Sequence, residues 1–162
     1  MSKKKKVKTN AIRMVEQHKI SYQEHEYAWT KNNLGAEHVA ETLHQIPGQI
    51  FKTLVAKGNN TGPVVAVIPG NRELDLKKLA KVSNNKKVEM LHLKDLEQTT
   101  GYIRGGCSPI GMKKKFPTYI DVMAENYQTI MISAGKRGMQ IELAPADLAS
   151  LVKASFTDIC EK

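Results

Sequence analysis

The spacing of hydrophobic and polar positions changes several times along this chain, and each change marks an element. Residues 10–20, NAIRMVEQHKI, set Ala11, Met14, Val15 and His18 on one stripe at helical spacing, with Asn10 in the cap position. SYQEHEY (21–27) then alternates Tyr22, Glu24 and Glu26 against Gln23, His25 and Tyr27, which predicts a polar strand near a sheet edge. GAEHVAETLHQIPG (35–48) predicts a short helix stopped by Pro47. QIFKTLVAKG (49–58) is apolar and fenced by Pro47-Gly48 and Asn59-Asn60, so it predicts a strand. Alternation puts Ile50, Lys52, Leu54 and Ala56 on one of its faces, leaving Lys52 as a cation in an apolar row.

GPVVAVIPG (62–70) shows no alternation and predicts a buried strand. ELDLKKLAKVSNNKK (73–87) predicts a helix with Leu74, Leu76, Leu79, Ala80 and Val82 inward, and HLKDLEQTTG (92–101) a second helix capped at Gly101. TIMISAG (129–135), MQIELA (139–144) and FTDIC (156–160) predict strands, with a helix opened by Pro145 before the last. Strands and helices do not alternate strictly and several connections are hairpin-short. The expected class is therefore α+β, a mixed sheet or partly closed barrel with flanking helices. Residues 1–8 are expected to form a basic disordered tail and residues 9–162 a single domain.

Composition narrows the function classes. At 162 residues, 41% hydrophobic and 25% charged, the chain has an ordinary globular make-up. No apolar run approaches the roughly eighteen residues of a membrane span, and no apolar segment follows the basic start as in a secretory leader. A cytoplasmic protein is the expectation. The net charge is +9, of which five charges are Lys3, Lys4, Lys5, Lys6 and Lys8. Further clusters at Lys77-Lys78, Lys86-Lys87, Lys113-Lys114-Lys115 and Lys136-Arg137 fit a polyanion partner as well as simple solubility. Lysine dominates arginine, which suits phosphate contact rather than base-edge readout.

Cys107 and Cys160 match no metal or redox spacing, and the five histidines show no pair at helical ligand spacing. No metal is expected, nor a disulfide in a reducing compartment. GYIRGGCSPIG (101–111) holds four glycines and a proline. Such a loop either brings main-chain N–H groups to a ligand oxygen or makes a tight connection, and both readings stand. SAGKRGMQIEL (133–143) reads as a basic hairpin with Lys136-Arg137 at its tip. Cys107 has no evident partner base, which argues against a nucleophile. No triad, phosphate loop or dinucleotide fingerprint is present.

FKTL (51–54), LDLKKLAK (74–81), KKVEM (86–90), TGYIRGGCSPIG (100–111) and SAGKRGMQIELAPADL (133–148), in this order, resemble the YbaK/EbsC family. Its members are stand-alone relatives of the editing domain inserted in bacterial prolyl-tRNA synthetases. The resemblance runs from about residue 10 to the C-terminus and leaves the basic tail outside. It implies a largely antiparallel sheet curved into a barrel. It implies also a deacylase acting in trans on cysteine misattached to proline tRNA, or on Cys-tRNA(Cys), with no cofactor. The implied partners are aminoacylated tRNA and, transiently, prolyl-tRNA synthetase; no membrane is involved.

By the same resemblance Lys52 is the functional lysine, facing the terminal adenosine and its amino acid. Tyr27, Leu34, Gly105, Gly106, Ser108 and Gln140 are the implied substrate contacts, and Lys113, Lys114, Lys136 and Arg137 the implied tRNA contacts. Three positions depart from the family pattern. Gln140 stands where relatives carry an aspartate suited to the substrate's α-ammonium. Leu34 stands where an aromatic precedes the glycine, and Cys107 replaces an aliphatic residue. The implied chemistry needs no protein nucleophile, because the cysteinyl thiol attacks its own ester. Editing of another small amino acid such as alanine, and a non-catalytic nucleic-acid-binding regulatory module, are the alternatives.

Overall fold

The computed structural model describes residues 8–30, 36–43 and 45–162. Among them are five helices, α1 (Asn10–Gln17), α2 (Ala36–Leu43), α3 (Leu76–Val82), α4 (Leu93–Thr100) and α5 (Pro145–Val152). The strands are β1 (Tyr22–Glu26), β2 (Phe51–Gly58), β3 (Gly62–Pro69), β4 (Val88–Met90), β5 (Thr118–Asp121), β6 (Ile130–Ser133), β7 (Met139–Leu143) and β8 (Ser155–Thr157). Strands β4 and β5 have no counterpart in the sequence reading. Each is three or four residues long and offers no alternation of its own; each is specified by the strands beside it.

Two sheets form, ordered β1-β7-β6 and β4-β2-β3-β5-β8. The first is antiparallel throughout, with β1 at its edge as its polar alternation predicts. In the second, β2 pairs antiparallel with β3 and β4, while β3/β5 and β5/β8 are parallel. A parallel bridge between Ile50 and Met131 joins the two sheets. The fold is thus α+β with mixed sheets and flanking helices, and no ladder among the described residues closes it into a barrel.

The inner faces of both sheets meet in the main core. Phe51 and Val55 of β2, Val65 and Val67 of β3, Ile130 and Ile132 of β6, and Met139, Ile141 and Leu143 of β7 pack there against α1 and α5. Ala56 of β2 and Val64, Ala66 and Ile68 of β3 point the other way, onto Leu79 and Ala80 of α3. With both faces covered, β3 has no polar side to alternate, which explains its continuous apolar run. Leu74 is inward as predicted but precedes α3, bridging to Cys160.

Two local expectations are corrected. Thr9, not Asn10, caps α1: its hydroxyl accepts from the Ile12 N–H, and Asn10 instead donates to the Gly111 carbonyl at 3.0 Å. The buried stripe of α1 is Ala11, Ile12 and Val15, while His18 is exposed and bonded at 2.9 Å to the Met14 carbonyl. Lys8, assigned to the tail, pairs with Glu16 at 2.8 Å; the rest of the tail lies outside the described residues.

Candidate active site

The site follows from strand parity. Ile50 bridges Met131 in parallel, and both pack with Val39 and Ala40 of α2 in a third, small cluster. Two residues on in each strand, Lys52 and Ser133 project from that same face. Ser133 pairs with Gln140 of β7, and Gln140 with His25 of β1. Lys52, Ser133, Gln140 and His25 therefore occupy one face of the joined sheets, opposite the main core.

Lys52 is half-buried between two apolar patches, Ile50 with α2 on one side and Leu54 above the α3 cluster on the other. Its ammonium has no ion pair among the described residues. Gln140 is 5% exposed, and its Oε1 has no hydrogen-bond partner among the described residues. A buried acceptor left unpaired costs roughly 1–3 kcal/mol, so it is a place where a donor from a ligand is worth having. The Thr53 hydroxyl is also buried and has no partner among the described residues, but it lies on the opposite face of β2.

Beside this row His25 Nε2 lies 2.8 Å from Glu142 Oε1. Glu142 also accepts from the Thr129 hydroxyl, and these contacts, Thr129 first, hold its carboxyl below the usual range. The pair lies on the same face, with His25 opposite Gln140 across the strands.

Tyr27 continues the face. It packs against the Ile50–Met131 cluster, and its N–H donates to the Gly138 carbonyl at 2.9 Å. It also lines an open groove of about 520 Å³ shared with Glu26, Trp29, Lys136, Arg137 and Gly138. Trp29 is 40% exposed, with the Arg137 guanidinium 5.2 Å from its ring centroid. Arg137 Nε donates to the Arg104 carbonyl at 2.8 Å, tying the groove to the glycine-rich loop. Where that loop meets the basic turn, a Cβ on Gly106 would lie 3.0 Å from the backbone of Lys136 and Arg137, so the close approach favours glycine.

Two observations decide the family. The aminoacyl-tRNA editing domain model matches residues 30–151. An Enterococcus faecalis protein named "Putative Cys-tRNA(Pro)/Cys-tRNA(Cys) deacylase EbsC" is 68% identical over 100% of this chain and 99% of its own length. The chain belongs to the aminoacyl-tRNA editing domain family. A proline–tRNA ligase of Thermosipho africanus is 34% identical over 55% of this chain, a match that covers 16% of the ligase. In architecture, the solved structure of "a putative trans-editing enzyme for prolyl tRNA synthetase" superposes with a TM-score of 0.81 at 22% identity, covering 97% of this chain and 100% of that one.

Within this editing domain the resemblance-derived positions separate. Lys52, Tyr27 and Gln140 lie on or beside one face. Gly105 and Gly106 lie in the loop that abuts the Lys136-Arg137 turn, and the Gly106 N–H donates to the Ile103 carbonyl at 3.0 Å. Ser108 is fully buried, and its hydroxyl accepts from the Ile110 N–H at 3.2 Å, which holds the loop's turn. Lys113, Lys114 and Lys136 are exposed, and Lys113 Nζ donates to the Gln98 carbonyl at 3.2 Å. Leu34 lies outside the described residues. Cys107 is free and packed in the main core, and burial pushes its thiol to about 11. A thiol so placed is a core residue rather than a nucleophile. Cys160 is likewise free and buried, in the α3 cluster.

Residue-by-residue reading missed Trp29, His25 and Ser133. Only His25 had a usable signal, since strand alternation puts it on the same face as Tyr27. Trp29 and Ser133 needed the pairing of distant strands.

Proposed function

We propose that this protein is a trans-acting aminoacyl-tRNA deacylase that clears cysteine from proline tRNA, with Cys-tRNA(Cys) as a second substrate. The observation that carries the reading is the pairing of a half-buried cation, Lys52, with the unpartnered acceptor of Gln140 on one face of an editing-family fold. An aminoacyl ester presents the complement, with anionic and carbonyl oxygens for a cation and an α-ammonium donor for an acceptor. Gln140 thus does by amide dipole what a carboxylate would do by charge. Its burial strengthens that dipole's pull because water is absent.

In the reaction, the cysteinyl sulfur bonds to its own carbonyl carbon and the ester C–O bond breaks. The thiol proton ends on the released ribose oxygen, and the products are a cyclic thiolactone and free tRNA. Lys52 stabilises charge developing on the ester oxygens, and Tyr27 closes the apolar wall that orients the thiol. A synthetase separates cysteine from proline by only about 1–3 kcal/mol of pocket energy, which is why a second site is needed. Exposed Lys113, Lys114 and Lys136, with Arg137, hold tRNA phosphates, and prolyl-tRNA synthetase is a transient partner in delivery. The same reading takes the two sheets as one strongly curved, barrel-like wall with the Ile50–Met131 bridge as its seam.

Single-turnover deacylation of a panel of mischarged tRNAs tests this. Release from Cys-tRNA(Pro) well ahead of Ala-tRNA(Pro) is expected; equal rates would favour water attack and editing of another small amino acid. No turnover of any member would favour a non-catalytic binding module.

A further inference from the structure

We infer that the Trp29–Arg137 groove is a nucleobase-stacking subsite for the unpaired nucleotides that precede the terminal adenosine of the tRNA 3′ end. The identity of the strand rests on the proposed deacylase reading; the stacking chemistry does not. A tryptophan left 40% exposed beside a basic turn is the combination by which single-stranded nucleic acid is held, an aromatic face for the base and cations for the backbone.

The platform is built rather than incidental. Arg137 lies over the indole at 5.2 Å and is itself anchored by the Arg104 carbonyl at 2.8 Å. Gly138 has φ +85°, and a Cβ there would stand 2.8 Å from Trp29 Cδ1, so the absence of a side chain lets the indole lie against the turn. Lys136 lines the same groove and supplies a second cation for a phosphate. Tyr27 lines the groove and packs beside the Ile50–Met131 cluster that flanks Lys52. A strand whose last nucleotide reaches Lys52 therefore lays its preceding bases over Trp29.

Trp29 is the chain's single tryptophan, so its fluorescence reports on this site alone. The test titrates full-length protein with the uncharged trinucleotide CCA and with a version abasic at its two cytidines. Saturable quenching by CCA, lost with the abasic strand, is expected. Competition against a labelled CCA strand should show Trp29→Leu binding about tenfold or more weaker and Trp29→Phe recovering most of the affinity. Absence of quenching, or equal binding by the abasic strand or by Trp29→Leu with its thermal unfolding unchanged, would overturn the subsite. Failure of the deacylase reading looks different: CCA would still quench Trp29 while no charged tRNA turned over.

Discussion

Replacing Lys52 with methionine isolates its charge from its packing. The stem of Lys52 lies in a row with Ile50 and Leu54, so methionine keeps the apolar contacts and removes the ammonium. Stability should change by less than about 1.5 kcal/mol, as for other shape-conserving swaps. The catalytic loss is larger. Removing one preorganised donor to a developing oxyanion costs about 2.7–4 kcal/mol in a water-excluded site. Lys52 is half-buried rather than enclosed, so the lower end applies, and about 2.7 kcal/mol is close to a hundredfold in rate. The assay is single-turnover release of cysteine from Cys-tRNA(Pro) at saturating enzyme, with thermal unfolding followed in parallel. A Lys52→Met protein that unfolds normally and deacylates within threefold of wild type would refute the charge-stabilisation role. A Lys52→Met protein with wild-type rate at saturation but weaker binding would move Lys52 from chemistry to grip.

Serine esterified to proline tRNA should be released far more slowly than cysteine, because a hydroxyl is a much weaker nucleophile than a thiol; a rate comparison on the two esters checks this. Cys107 titrates at about 11 against an ordinary 9, so between those values the unfolded chain loses its proton first and stability falls as pH rises. Urea midpoints measured across that window should fall less steeply in Cys107→Val, with activity at neutral pH retained. Gly138→Ala forces a left-handed residue against Trp29 and should cost about 1–2 kcal/mol from the backbone alone, with a shifted tryptophan emission spectrum. Deleting residues 1–8 removes five lysines and should reduce the salt slope of tRNA binding by up to about 4 while leaving turnover of bound substrate unchanged. Thr9, whose hydroxyl donates to the Ala134 carbonyl beside the basic turn, stays in that truncation and keeps α1 docked.

Much of the fold was legible locally because its signals are local. The alternation in 21–27 marked β1 and its edge position, the uninterrupted PVVAVIP marked β3 as covered on both faces, and Pro145 marked the start of α5. Lys52 was legible for the same reason, since a cation in an apolar row breaks a period-two pattern. The family motifs added a function that periodicity alone does not carry. Tertiary structure decided the rest. Strands β4 and β5 are too short to carry a pattern and exist because Ala56–Gly58 and Val65–Val67 offer them backbone partners. Gln140 reads in sequence as the loss of an aspartate; only its pairing with Ser133 and His25, and its burial, turn it into an unpaired acceptor on the Lys52 face. Ser108 is implied as a substrate contact by the family motif; that its side chain is folded inward, with its hydroxyl accepting from the Ile110 N–H, is decided by the loop. Local propensity is set by neighbours in sequence, whereas a site is assembled from residues far apart in it. One bridge, Ile50 to Met131, puts Lys52 on the same face as Gln140, and no stretch of sequence contains that contact.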